Sequence, residues 1–503
     1  MYSFKRGFTI VELLVIIVVI GILAGVVIIS YGNWNKNLRI DQVKSDLTAA
    51  AAAMENSRNF SSGYPASVPG TASPGPDVVF SGGGLGTATY CIDATHQKDV
   101  TIKYYATPTS QGPQEGSCAT TWGQVGAGRF HTCAVNMRGQ AYCWGKNDVG
   151  QLGNNTTSAG YTTSPVAVYT TGVLAGKVVT DIDGGEDWTC AIADNKPYCW
   201  GLGTSGQLAT GSTYNSSSVA VAVDSTNVLA GKKITKLTVG LVTACVLADG
   251  LPYCWGSGWQ GQLGNGATAV TSTGVVPVTI SGLSGASKFI DIDAANHICA
   301  VDTQQRAYCW GDGTSGKLGN GTSPSGQSLP VAVDMTGALA GQKIAKVSAG
   351  SSFSCAVTTT SSVYCWGNNA VGQLGNGTTT ASTTPVAATM SGALAGKSIK
   401  QISSSTGGYH FTCVLSTDGL TYCWGANGDG QVGINTTVNA TSPAAVLTTG
   451  VLSGKIASDV STGDQACVSA TGRIYCWGSG STGQLGNGTT TRSLVPLQVN
   501  LSY

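Results

Sequence analysis

The tetrapeptide Tyr-Cys-Trp-Gly occurs seven times in this chain, and its spacing restricts the fold more than any other feature. The Cys-Trp steps stand at Cys143-Trp144, Cys199-Trp200, Cys254-Trp255, Cys309-Trp310, Cys365-Trp366, Cys423-Trp424 and Cys476-Trp477, separated by 53 to 58 residues. Self-similarity at a fixed period marks a repeat architecture. A unit of about 55 residues holds four strands of five or six residues and their turns, which is one propeller blade. After each tetrapeptide comes a Gly-Gln-Leu-Gly-like turn, as at Gly150–Gly153, Gly261–Gly264, Gly372–Gly375 and Gly483–Gly486. Composition agrees. The chain holds 71 Gly but only 10% charged residues, a balance suited to short strands and tight turns. Its net charge of +1 offers no basic cluster for phosphates, so no nucleic-acid partner is expected.

Nine or ten residues before each Cys-Trp lies a second cysteine: Cys133, Cys190, Cys245, Cys299, Cys355, Cys413 and Cys467. The spacing predicts Cys133-Cys143, Cys190-Cys199, Cys245-Cys254, Cys299-Cys309, Cys355-Cys365, Cys413-Cys423 and Cys467-Cys476 as disulfides across blade hairpins. Loops near ten residues give each about 2–3 kcal/mol on the chain-entropy account. An even count of 16 Cys points to an oxidising compartment. Free thiols packed as small core residues are the alternative. Zinc is not favoured, because no Cys-x-x-Cys occurs and the pairs fall in separate blades. The turns and repeat layout, over nearly 385 residues, resemble the RCC1-like propeller family, which implies a seven-bladed all-β ring. Repeat one lacks an upstream Pro-Val strand, so Val495–Val499 is expected to complete the first blade.

The other end of the chain reads differently. After Lys5-Arg6-Gly7, an apolar run extends from Phe8 to about Ser30. As helix it would span roughly 34 Å, enough to cross a bilayer. The basic pair before it should stay cytoplasmic and place the rest outside. No small-residue cleavage site follows the run, so it is expected to be retained. Glu12 stands alone inside it, and a carboxylate at membrane depth costs about 2–3 kcal/mol on insertion scales. Lys5-Arg6-Gly7-Phe8-Thr9-Ile10-Val11-Glu12-Leu13 resembles the type IV prepilin signature nearly residue for residue. The resemblance implies peptidase cleavage after Gly7, N-methylation at Phe8, and pairing of Glu12 with a neighbouring subunit's terminal amine during assembly. A plain signal-anchor with a tolerated Glu is the bland alternative. The chain departs from many filament-forming pilins in lacking a proline near Ile29.

Ile40, Val43, Leu47, Ala50, Ala51 and Met54 recur at helical spacing beyond the apolar run. One helix is therefore expected from Phe8 to about Asn56, roughly 73 Å long. Asp77–Phe80, Thr87–Asp93 and Val100–Ala106 read as short strands that resemble the small sheet of a pilin, with a Cys91-Cys118 disulfide bracketing them. The expected whole is multidomain: a leader (1–7), a transmembrane and assembly helix (8–56), a small pilin-like β domain giving an α+β unit (57–118), and a seven-bladed β-propeller (119–503).

Candidate sites are few. His131 and His297 stand two residues before the first Cys of their blades, where Trp188, Phe353 and Phe411 stand elsewhere, so ring packing is a simpler reading than metal ligation; His96 and His410 complete the set. Asp181, Asp183, Glu186 and Asp187, and Asp291 with Asp293, could suit Ca²⁺ but lack calcium-loop spacing, and solvated strand ends are the simpler reading. No nucleophile elbow, zinc-protease motif or phosphate loop is present, so no catalytic residue, cofactor or enzyme activity is expected. Trp259 lies in the turn Gly256–Gly264, where other blades have Asp148 or Ala370. It is either a ligand-binding tip or packing against the next blade.

The leading function is a minor, tip-located pilin whose propeller is an adhesin for a surface protein or glycan. A 385-residue head has a radius of gyration of about 21 Å. Closely packed helices near 10 Å across could not all carry one on a short linker. Expected partners are other pilin subunits, prepilin peptidase and, before assembly, the inner membrane; the expected location is the bacterial surface. Alternatives are a pseudopilin of a secretion or DNA-uptake machine, and an inhibitor or receptor propeller. Nucleotide exchange, known in one RCC1 branch, would need an intracellular partner.

Overall fold

The computed structural model describes residues 10–60, 64–85, 89–107, 112–118, 121–158, 160–212, 216–225, 228–268, 270–283, 285 and 288–500. The chain divides into two compact units, Met1–Cys118 and Ala119–Tyr503.

The first unit is a helix, Ile10–Phe60, against a four-stranded antiparallel sheet. The strands are Val78–Leu85, Thr89–His96, Asp99–Ala106 and Gln114–Glu115, paired in that order. Val43, Leu47, Ala50 and Met54 are buried, as their three- and four-residue spacing requires of one helix face. They meet Tyr90, Ile92, Ala94 and Ile102 from the sheet. Cys91 and Cys118 are bonded, and the Cys118 N–H donates to Asp93 Oδ1 at 2.5 Å. Gly7 and Phe8 lie outside the described residues. Glu12 falls on the helix, but of the apolar run only the side chains of residues 14–22 are described. Among the described residues no helix is long and apolar enough to cross a membrane.

The second unit contains, among its described residues, seven four-stranded sheets, each an antiparallel meander of sequence-adjacent strands. The first is Trp122–Ala127, His131–Asn136, Ala141–Lys146 and Tyr161–Ala167. The last is Ala457–Thr462, Gln465–Ala470, Arg473–Gly478 and Ser493–Gln498. This corrects the expected exchange at the ring's seam: Ser493–Gln498 pairs within the last blade, with Cys476 opposite Leu497. The first blade already has its own outer strand, Cys143 facing Val166. In every blade the outer strand follows Tyr-Cys-Trp-Gly, so none remains to be supplied from elsewhere.

Blades are joined by a contact that explains why two motifs recur together. Each Trp indole N–H donates to the Gln-position carbonyl in the turn of the preceding blade. Examples are Trp200 to Gln151 at 2.9 Å and Trp424 to Gln373 at 3.0 Å. Trp144 donates to Gln484 at 2.9 Å, closing the ring. These tryptophans are fully buried, so an unpaired indole N–H would be costly. In six of the seven turns the residue two on is Gly, which lies under the ring. At Gly153 (φ 66°) a Cβ would come within 2.7 Å of Trp200 Nε1, so glycine is required by both space and backbone.

Candidate binding surfaces of the propeller

The innermost strand of each blade has a side unpaired by strand hydrogen bonds, an edge that must be satisfied in some other way. Side chains do it. Asp181 and Asp183 accept from the N–H groups of Leu237 and Val239 in the next blade, at 3.1 and 2.8 Å. Asp291 and Asp293 accept from Val347 and Ala349, both at 2.9 Å. Across the seam Asp459 and Ser461 accept from Val125 and Ala127, both at 2.9 Å. The aspartates therefore line a central cavity of about 610 Å³ together with Gln124, Lys236, Lys346 and Lys400. The expectation of solvated strand ends fails here, because these carboxylates staple the inner strands. Burial pushes Asp181, Asp293 and Asp459 above the usual carboxylate range, and Asp183 well above it. Burial opposes the Lys236 charge, but Asp291 and Asp293 beside it prevail and raise its pKa.

Glu186 and Asp187 belong elsewhere, on the face formed by the loops between first and second strands. There Arg129 pairs with Glu186 of the next blade and lies 3.7 Å from Asp464 of the last. Lys146 pairs with Asp187 at 2.9 Å and Asp148 at 3.1 Å. The four acids adjacent in sequence are thus divided between two surfaces. Among the described residues no group of three metal-ligating side chains is assembled.

His131 and His297 are buried, with Nε2 against Thr189 Oγ1 at 2.7 Å and Ser354 Oγ at 2.5 Å. Burial drives the first down to about 3 and the second well below the ordinary imidazole value. Both fill the ring-packing position. His410 is half-buried, 3.0 Å from Ser351 Oγ, and its pKa is lowered by burial. His96 is buried in the first unit and accepts from the Lys98 N–H.

Trp259 is 64% exposed and follows the strand Leu251–Gly258 on the Arg129-bearing face. Its indole is presented to solvent. All sixteen cysteines are paired, the seven propeller pairs directly opposite across hairpins, with Cα–Cα distances of 4.0 to 4.1 Å. Asp181, Asp183, Asp291 and Asp293 stand out in the sequence only as a possible Ca²⁺ set, and Asp459, Lys236 and Arg129 do not stand out at all. The signal for the carboxylates and Lys236 is position within the inner strand, where residue type varies from blade to blade, whereas Arg129 lies in the loop after such a strand.

Residues 138–192, 249–301, 305–357, 361–415, 418–469 and 471–503 match the Regulator of chromosome condensation (RCC1) repeat, as do 124–151 and 344–373 in a second profile of it. Residues 3–28 match the prokaryotic N-terminal methylation motif. The chain is 31% identical over 378 residues to the ultraviolet-B receptor UVR8 of Arabidopsis thaliana, covering 74% of this chain and 80% of the receptor. It is 30% identical over 365 residues to the human E3 ubiquitin-protein ligase HERC2, covering 71% of this chain but only 7% of the ligase. The crystal structure of human WBSCR16 superposes with a TM-score of 0.62 at 19% identity, covering 72% of this chain and 94% of that one.

Proposed function

Because the chain belongs to the RCC1 repeat family and opens with a prokaryotic N-terminal methylation motif, we propose that it is a minor, tip-located type IV pilin whose propeller is an extracellular adhesin. The observation that carries this reading is the joining of those two sequences in one chain. In it, prepilin peptidase cuts after Gly7 and Phe8 is N-methylated. The segment from Phe8 anchors the precursor in the cytoplasmic membrane, and Glu12 engages a neighbouring pilin subunit during assembly. The cysteine pairing fits export to an oxidising compartment.

Gold-tagged antibody against residues 121–503, applied to intact cells, tests the placement. Label at filament ends is the expected result. Label confined to the envelope, with bare filaments, would replace the tip adhesin with a pseudopilin of a secretion or DNA-uptake system. Mass spectrometry of the mature chain should find a methylated Phe8 at its start.

A further inference from the structure

The face opposite Trp259 carries a recurring charge that the fold does not need. There the chain turns into the inner strands of the second to seventh blades through Leu-x-Gly-Lys or a variant of it. The Lys177, Lys232, Lys397 and Lys455 N–H groups donate to the carbonyls of Leu174, Leu229, Leu394 and Leu452 at 3.0 to 3.1 Å. The leucine is buried and the glycine has φ between 67° and 73° (Gly176, Gly231, Gly396, Gly454), so packing and backbone account for both. Nothing in the turn asks for lysine. In the fifth blade Gln342 makes the same bond to Leu339 at 2.9 Å, yet Lys343 follows at once, and Lys288 stands at the same place in the fourth.

Lys177 and Lys397 are held by Asp194 and Asp418. Lys232, Lys233, Lys288 and Lys343 form no ion pair among the described residues, and all but the half-buried Lys232 are exposed. The adjacent hairpin turns add exposed Lys196 and Arg473. Across the disc, Asp148, Glu186, Asp187, Asp429 and Asp464 outnumber their cationic partners Arg129, Lys146 and Arg492. The lysine-bearing face also holds exposed Asp194, Asp249 and Asp418 at its hairpin turns, fewer than its cations, so a chain of net charge +1 places a positive excess there, and such a face draws a ligand of opposite sign.

We propose that this lysine-bearing face binds an anionic polysaccharide, with successive carboxylate or sulfate groups set against successive strand-start lysines. The proposal rests on reading the propeller as a binding module and supplies the ligand class for it. A polymer with regularly spaced charge matches lysines that recur before the inner strands of the second to seventh blades. The exposed neighbours at the second inner-strand position include Thr180, Thr235 and Ser458, hydroxyls suited to a hydrated chain. Ile290 interrupts them, and Ile456 takes the strand-start place in the last blade, but among the described residues no aromatic ring stands at the second position to stack bases.

Fluorescent heparin, a sulfated polysaccharide, can be titrated against the full chain in detergent micelles, with neutral dextran as control. The expected result is binding to heparin only, weakening steeply with salt. K232Q/K233Q/K288Q/K343Q, which breaks no ion pair, should bind at least tenfold more weakly and with a shallower salt dependence, while W259A binds as the parent does. Equal heparin binding by the quadruple variant overturns the proposal. So does a parent protein that ignores heparin but binds phosphatidylglycerol vesicles or single-stranded DNA. The position of gold label on filaments is independent of these titrations, so the ligand and the tip location fail separately.

Discussion

The two units use the same covalent tie at different scales. In the helix-and-sheet unit one disulfide, Cys91–Cys118, spans 27 positions and fastens the unit's end beside Asp93. In the propeller each disulfide spans nine or ten positions inside a hairpin already paired residue by residue. Loop entropy makes the first tie worth about 3.5 kcal/mol and each of the others about 2.7 kcal/mol. The weaker ties are repeated, and each blade is also held by an indole bond to its neighbour and by side chains on the neighbour's inner strand. Repetition gives the ring a covalent tie in every blade and several restraints per junction, whereas the small unit has one disulfide beside its helix–sheet core.

The largest effect that probes this difference comes from one junction. Trp424→Ala empties a fully buried ring site and strands the Gln373 carbonyl. It should cost the propeller about 3–5 kcal/mol. Scanning calorimetry should then show two transitions in the full chain, only the larger one moving down. Joint movement of both would mean that the units melt as one and would break the comparison. Next come the disulfides. Cys91→Ala/Cys118→Ala should lower the small unit's stability by about 3.5 kcal/mol, against about 2.7 kcal/mol in the propeller for Cys355→Ala/Cys365→Ala. Urea melts followed by limited proteolysis separate the two. Equal losses would show that hairpin pairing gives no redundancy.

The ring was legible because its period is long, regular and marked by residues with strict packing needs: a buried Trp, a Gly beneath it and a cysteine pair. The seam was not. In a tandem repeat the strand between successive motifs can join the blade before it or after it, and the period is the same either way. Only register decides, and Cys476 opposite Leu497 decides it. The lining of the central cavity was illegible for a different reason. Its third-position ring reads Gln124, Asp181, Lys236, Asp291, Lys346, Gln401 and Asp459, so what is constant is geometry rather than residue type. In the first unit the buried helix face was readable from spacing alone, because Val43, Leu47, Ala50 and Met54 have one sheet to meet.

Acid should sharpen the contrast. Burial holds His131 at about 3, with Lys146 adding to the shift, so it stays neutral in the fold while the unfolded chain protonates below about 6.5. Its contribution is complete above 6.5 and falls by about 1.4 kcal/mol per pH unit below that, roughly 2 kcal/mol by pH 5. The raised Asp181, Asp183, Asp293 and Asp459 act oppositely, since their contribution grows as pH falls through their folded values. His131→Phe, the residue type at Phe353 and Phe411, isolates the histidine. The change in the propeller's urea midpoint from pH 7 to pH 5 should be less negative, or more positive, in this variant than in the parent. The small unit should hold through that window, because its lowered carboxylates Asp77 and Asp99 lose their contribution only when pH falls below the ordinary carboxylate range. An unchanged pH slope in His131→Phe would show that His131 is not what softens the ring.

The smallest expected effect lies where one blade departs from its own rule. Six turns place Gly beneath the next blade's Trp, with φ between 65° and 73°, but Gln207-Leu208-Ala209 places Ala there at φ 46°. At Gly375 a Cβ would meet Trp424 Nε1 at 2.6 Å, so a methyl group is accommodated poorly in the common geometry. A non-glycine residue in the left-handed region costs about 1–2 kcal/mol, and glycine's extra unfolded-state entropy returns about 0.5–1 kcal/mol of that. Ala209→Gly should therefore stabilise the propeller by about 0.5–1 kcal/mol, visible as a small rise in its urea midpoint with the small unit unmoved. Destabilisation would mean that the blade has repacked around the methyl group of Ala209. The seven junctions would then be individually fitted, and the redundancy that distinguishes the ring from the small unit would not extend to interchangeable parts.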